Sequence, residues 1–461
     1  MRKLRTALIY TAVFAASAGA FFLVRFFGQS LVAPVTLVLR DSGYRAAPQA
    51  DMALAQVLVA LAVIIVIARA LGAAFQLIGQ PRVIGEMIAG ILLGPSLLGR
   101  VLPGVSAYVF PSTILPFLSV IAQIGIILYM FLVGIRLDTK QLRRHLGTSI
   151  AISQASIVAP FLLGVALALW VYPMLSERSV SFTEFALFMG VAMSVTAFPV
   201  LARILSDRQM QDSPVGAIAL ASAAAGDVTA WCLLAFVVGV ARARPGQAAL
   251  TVTLAAGFVA LIFIFVRPAI RRLAHRQSPE GKTAPNAIVI LSVAALVAAL
   301  ATERIGIHGL FGAFLNGVCV PHDSMLAADF RRMLEDSVAV FLLPVFFAFT
   351  GLRTQIGLLH GPRDWFLCIV IIATASAGKF GGSFVAARVT GSAWRQAASL
   401  GVLMNTRGLM ELIVVNIGLD LGVISPTLFT MLVLMAIVTT VATTPILQAV
   451  SSHPDAQSVE Q

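Results

Sequence analysis

Residues 214–240 read PVGAIALASAAAGDVTAWCLLAFVVGV, an apolar run long enough to cross a bilayer whose one charged side chain, Asp227, falls near its middle. A lone Asp at that depth costs about 3 kcal/mol on insertion scales, so such a residue marks a functional site with a partner to be found. Counting by fours puts Ala219, Ala223 and Asp227 on one helical face, with Gly216, Gly226 and Ala230 beside it. Those small residues let a second backbone or an ion approach closely. The alternative is a protonated Asp hydrogen-bonded inside a helix bundle.

Runs of this kind fill the chain. With 59% hydrophobic and 11% charged residues over 461 positions, and a mean hydropathy of +0.95, it is not a water-soluble globule. Backbone groups in lipid must be satisfied within helices or closed barrels, and these runs lack a barrel's alternation, so the expectation is an all-α polytopic membrane protein. About thirteen spans are read, near 52–79, 83–99, 113–134, 148–172, 183–206, 214–240, 248–270, 285–303, 305–320, 337–352, 366–388, 396–422 and 424–448. Ahead of them, MRKLRTALIYTAVFAASAGAFFLV is either a cleaved signal peptide or an extra first helix, joined by an external connector that completes residues 1–50. The membrane domain is read as 51–450 and a short tail as 451–461. That tail is too short for a ligand-sensing domain.

The net charge of +12 suggests nucleic acid only in a soluble protein; here the basic residues sit in short loops, and no nucleic-acid partner is expected. Loops holding Arg136, Lys140, Arg143 and Arg144, then Arg203 and Arg208, then Arg267, Arg271, Arg272, Arg276 and Lys282, then Arg331 and Arg332 all fall on one side. That side is expected to be cytoplasmic, with the C-terminus, in the inner or plasma membrane. Cys232, Cys319 and Cys368 stand singly in apolar runs, without metal-ligand spacing. No nucleophile–base pair, metal cluster or cofactor loop is visible, so neither an enzyme nor a cofactor is expected. The pairs His308 with Glu303 and His322 with Asp323 lie near loop ends, in solvated or capping roles.

Two spans are interrupted. In MSVTAFPVLARIL, Pro199 lacks an amide hydrogen and frees the carbonyl of Val195, where Ser194 and Thr196 add hydroxyls; carbonyls and hydroxyls suit a hard cation. An ordinary proline kink is the competing reading. In MNTRGLMELIVVNIGLD the polar run Asn405, Thr406, Arg407, Gly408 breaks an apolar span, which is tolerated only where backbone is buried in protein or lines a cavity. Arg407 and Glu411 are spaced to pair along a helix, either as part of a site or as a structural ion pair. Two such breaks, about 200 residues apart, fit an inverted repeat and point to a transporter substrate site. Lys379 lies among Gly378, Gly381 and Gly382, which favours close packing and a charge pair across the bundle. Glu86 and Glu303 lie nearer span ends, where snorkelling or a structural pair is the simpler role.

With these residues assembled, the chain resembles the cation:proton antiporter family that includes Kef-type and sodium/hydrogen exchanger-type transporters of bacteria and the plant cation/proton exchangers. The resemblance runs from about Leu54 to Leu447 through PRVIGEMIAGILLGPSLLG, MFLVGIRLD, SVTAFPVLARIL, DVTAWCLLA, GIHGLFGAFLNG, PVFFAFTGL, GKFGG and MNTRGLMELIVVNIGLDLG, in the family's order. It implies a homodimer with a core domain on two crossed discontinuous helices (helices near 113–240 and 366–448) and a dimerisation part (near 52–99 and 285–352). It also implies that Asp227 alternately holds a proton and a monovalent cation, Na+ or K+, with Lys379 on the facing helix. One position departs. Where family members carry a polar residue just before the carboxylate, this chain has Gly226, so Lys379 needs another partner and a second titrating group is missing. A single carrier carboxyl implies electroneutral exchange. Two other functions on the same architecture stay open: a ligand-gated K+ efflux pathway, and a carrier of a solute other than a cation.

Overall fold

A computed structural model describes residues 2–29, 31, 50–136, 146–210, 213–242, 248–274 and 285–451. Residues 32–49 of the connector, the loop residues Lys140, Arg143, Arg144, Arg276 and Lys282, and the tail from 452 lie outside the described residues. The described chain is helical, without strands. Its helices are α1 (Arg2–Gly28), α2 (Ala50–Leu77), α3 (Arg82–Leu93), α4 (Leu98–Val101), α5 (Pro103–Val109), α6 (Leu115–Arg136), α7 (Leu146–Leu175), α8 (Phe182–Ser194), α9 (Phe198–Asp207) and α10 (Pro214–Arg242). They continue as α11 (Ala248–Leu261), α12 (Arg267–Ala274), α13 (Pro285–Ile305), α14 (Gly309–Val318), α15 (Met325–Ser337), α16 (Leu343–Arg353), α17 (Pro362–Val389), α18 (Trp394–Met404), α19 (Leu409–Asp420) and α20 (Pro426–Ser451).

Among the described residues ten helical segments are long and apolar enough to cross a membrane, or eleven if the pair α18 and α19, bent by 43°, is one span. The sequence suggested about thirteen. The run at 183–206 divides into α8 and α9, and that at 305–320 shrinks to α14, each too short to cross alone. Hydropathy sums apolar content and does not register where a hydrogen-bond ladder stops.

The chain folds as two compact units: Met1–Arg40, Leu142–Ala230 and Ile356–Gln461 in one, Asp41–Gln141 and Trp231–Gln355 in the other. Small residues set the spacing within each. In the first unit, a Cβ on Gly378 of α17 would lie 2.7 Å from the Pro160 Cα of α7, and one on Gly382 would lie 2.5 Å from the Ala155 carbonyl oxygen. Only glycine lets these two helices meet at that distance. In the second unit Gly134 of α6 and Gly317 of α14 abut each other's backbone in the same way.

Candidate functional site

The first unit is built around two helix breaks. Helix α8 starts on a capping box, in which Ser181 Oγ accepts from Glu184 N at 3.3 Å and Ser181 N donates to Glu184 Oε2 at 3.0 Å. It stops at Ser194, and Val195 is extended at φ −67°, ψ 137°. Pro199 is the second residue of α9, in the first turn, where its missing N–H leaves no helical hydrogen bond unmade. The interruption expected here is therefore complete, not the ordinary kink that competed with it, and it exposes the last carbonyls of α8 together. The second interruption ends α18 at Met404 and starts α19 after Gly408, whose φ of +150° suits glycine alone.

The two breaks are joined to each other. Ala197 N donates to the Thr406 carbonyl at 3.0 Å, and Thr196 Oγ1 donates to the Met404 carbonyl at 3.3 Å. Arg407, fully buried, sends Nη1 to the Ala192 carbonyl at 2.9 Å and Nη2 to the Met193 carbonyl at 2.7 Å. Its Nη1 also meets Glu411 Oε2 at 2.8 Å, so the local pair forms, with both side chains wholly buried. Lys379 of α17, also fully buried, donates to the Ser194 carbonyl and to Thr196 Oγ1. Three successive carbonyls at the end of α8 are thus each met by a cationic side chain. An α-helix leaves its last carbonyls unpaired and carries partial negative charge at that end, so the placement is electrostatically favourable.

Asp227 is 2% exposed on α10, on the buried face with Ala219 and Ala223, and its Oδ2 has no hydrogen-bond partner among the described residues. Its carboxyl lies within electrostatic reach of Lys379, whose ammonium is bound to the first break instead. The structure so gathers Ser194, Thr196, Lys379, Arg407 and Glu411 around the end of α8, with Asp227 electrostatically linked to them through Lys379. The Ser194 hydroxyl is turned away, donating to the Ile157 carbonyl at 3.0 Å and the Gly190 carbonyl at 2.6 Å. Asn405 borders a cavity of 280 Å³ shared with Ser376, Thr439 and Thr443; its Oδ1 and the Thr406 Oγ1 are buried without partners among the described residues. Glu86 is not among these groups: it is a buried residue of α3, in the other unit, in reach of Arg69 and Arg82.

Two contributors escaped the sequence reading. Thr440 of α20 accepts from Arg407 N at 3.1 Å and donates to the Arg407 carbonyl at 2.7 Å, clasping the second break. Ser153 of α7 is fully buried beside Gly226, its hydroxyl without a partner among the described residues. The spacing of Ser149, Ser153 and Ser156 along one span was the available signal.

The comparisons with known proteins agree with the motif order. Residues 60–450 match the family described as sodium/hydrogen exchanger, transmembrane. The Na(+)/H(+) antiporter NhaS4 of Synechocystis is 42% identical over 401 residues, covering 86% of this chain and 98% of that protein. Cation/H(+) antiporter 20 of Arabidopsis thaliana is 39% identical over 85% of this chain and 48% of its own length. The K(+)/H(+) antiporter 1 of Saccharomyces cerevisiae is 33% identical over 83% of this chain and 44% of its own. The chain therefore spans nearly all of the cyanobacterial relative and about half the length of the plant and yeast ones. In fold, it is similar to the sodium proton antiporter MjNhaP1 of Methanocaldococcus jannaschii, with a TM-score of 0.61, 16% identity, and coverage of 86% of this chain and 97% of that one. An all-helical, multi-pass membrane chain with this order of motifs, matched along most of its length, belongs to the sodium/hydrogen exchanger family.

Proposed function

We propose that this chain is a secondary antiporter exchanging Na+ or K+ for protons, with Asp227 as the single carboxyl that proton and metal ion occupy in turn. The observation that carries the reading is Asp227 itself: buried in a membrane-length helix, one carboxyl oxygen without a partner among the described residues, in reach of the lysine that holds the first helix break. A buried carboxyl is stabilised by a proton or by a cation, not by neither, and that exclusion couples the two fluxes. The break supplies the further oxygens. The Ser194 carbonyl and the Thr196 hydroxyl now hold the Lys379 ammonium, so in this reading a metal ion reaches them only as that ammonium withdraws; the Val195 carbonyl completes the set.

One carboxyl carrying one charge in each direction makes the exchange electroneutral, so a membrane potential, worth about 2.3 kcal/mol per charge per 100 mV, does not drive it. The same reading includes a homodimer in the plasma membrane, core helices near 113–240 and 366–448 with dimerisation helices near 52–99 and 285–352, and the C-terminus in the cytoplasm. The basic loops and the family resemblance support it. In everted vesicles, Asp227→Asn is expected to abolish acridine-orange dequenching on addition of Na+, K+, Rb+ or Li+, with normal insertion. Unchanged dequenching removes the assignment. Because proton and cation compete, the apparent KM for the cation is expected to fall as pH rises, by up to about tenfold per pH unit while protons dominate the site.

A further inference from the structure

The mechanism uses oxygens from the first break and leaves a second wall of the same unit unexplained. Most hydroxyls here turn back onto the helix that carries them. Ser156 donates to the Ser153 carbonyl at 2.8 Å, Ser222 to the Ile218 carbonyl at 2.7 Å and Thr229 to the Ala225 carbonyl at 3.2 Å. That back-bonding is the usual fate of a serine or threonine inside a helix. Ser153, like Ser149 and Ser383, does not follow it: fully buried, its Oγ has no partner among the described residues, and of the three it alone lies against the residue next to Asp227.

The direction in which it is aimed is informative. A Cβ built on Gly226 would lie 3.4 Å from Ser153 Oγ and 3.9 Å from Ile157 Cδ1. Gly226 is the residue immediately before Asp227, so the hydroxyl looks at bare α10 backbone next to the carboxyl. Two buried oxygens without partners among the described residues, one of a carboxyl and one of a hydroxyl, thus belong to neighbouring positions on facing helices, with no side chain at 226 to fill the gap. A hydroxyl oxygen is a hard neutral donor of the kind that replaces water around an alkali-metal ion.

We infer that Ser153 is a ligand of the monovalent cation carried by Asp227, its hydroxyl filling the place that a side chain at position 226 would otherwise hold. This rests on the antiport reading above and adds a cation-contacting residue from α7. No bond is made or broken; the hydroxyl exchanges a water ligand for its own oxygen, lowering the apparent KM for the metal ion rather than the rate of the protonated return step.

The test is cation affinity in the full-length protein, by equilibrium binding of radioactive Na+ and Rb+ and by the KM of exchange in proteoliposomes. Ser153→Ala is expected to raise both Kd and KM about three- to tenfold, the worth of one neutral ligand, with maximal rate and thermal stability near the parent's. Ser153→Thr is expected to keep the parent affinity. Gly226→Ala, which leaves Ser153 in place and covers its oxygen with a methyl group, is expected to match Ser153→Ala. Unchanged affinity in Ser153→Ala overturns the inference. So does an equal loss in Ser149→Ala, one turn away on the same helix, or a fall in maximal rate and stability without a change in affinity. If Asp227→Asn still exchanges cations, the antiport reading fails; if it is dead while Ser153→Ala binds normally, only the ligand assignment does.

Discussion

The break at 195–197 contains no charged residue and offers acceptors, whereas the break at 405–408 brings Arg407 and, four residues on, Glu411. The difference explains how two interruptions are tolerated inside a membrane protein. The first leaves the carbonyls of Ala192, Met193 and Ser194 without helical partners, and the second supplies a guanidinium whose fork reaches two of them. Lys379, from a third helix, takes the last. A neutral break is stable here because a charged one lies against it, and the charged one is balanced by its own glutamate in the first turn of α19, where negative charge is favoured.

The largest effect that would break this comparison comes from Arg407. Arg407→Met leaves two carbonyls uncapped and Glu411 buried with its charge uncompensated, and is expected to cost about 3–5 kcal/mol, with poor yield and a much lower melting temperature in detergent. Arg407→Lys keeps the charge without the fork and is expected to fall between. The double replacement of Arg407 and Glu411 by methionine separates the terms: recovery toward the parent assigns the loss to the stranded glutamate, and persistence assigns it to the carbonyls.

Lys379→Met tests the same end of α8 with less at stake. One carbonyl and the Thr196 hydroxyl lose a donor, no carboxylate is left in direct contact with the gap, and the expected loss is about 1–3 kcal/mol by the same thermal assay. A loss larger than that of Arg407→Met would make the lysine, not the charged break, the principal support.

How far the sequence reveals this arrangement depends on the distance over which each interaction acts. Both breaks were legible, one from Pro199 and the other from the polar run at 405–408, because each disrupts the pattern of its own segment. The Arg407–Glu411 pair was legible from a spacing of four. That Gly226 leaves Lys379 in need of a partner could also be read. What that partner is could not: Lys379 and Thr196 are 183 positions apart, and Arg407 and Ala192 are 215 apart. No local pattern encodes which carbonyl a buried cation will meet. Pro199 left an ordinary kink open beside a full break, because composition does not distinguish a bend inside a helix from the start of a new one. Ser153 was passed over because a serine in an apolar helix nearly always satisfies itself on the preceding turn, and only packing shows that this one does not.

The smallest of these effects sharpens the comparison most, because it tests backbone rather than charge. At the first break the amide of Ala197 is satisfied by the Thr406 carbonyl, whereas at the second the amide of Arg407 depends on a side chain, Thr440 of α20. Thr440→Val keeps the shape and removes the acceptor, leaving the Arg407 N–H unpaired while the guanidinium keeps its carbonyls. The expected cost is about 1 kcal/mol, seen as a small drop in melting temperature, and Thr440→Ser is expected to restore the parent value. A loss as large as that of Arg407→Met would mean that the path of the backbone through the break, held from α20, is what places the guanidinium. A negligible loss would mean that the guanidinium, anchored by two carbonyls and a carboxylate, holds the backbone in place by itself.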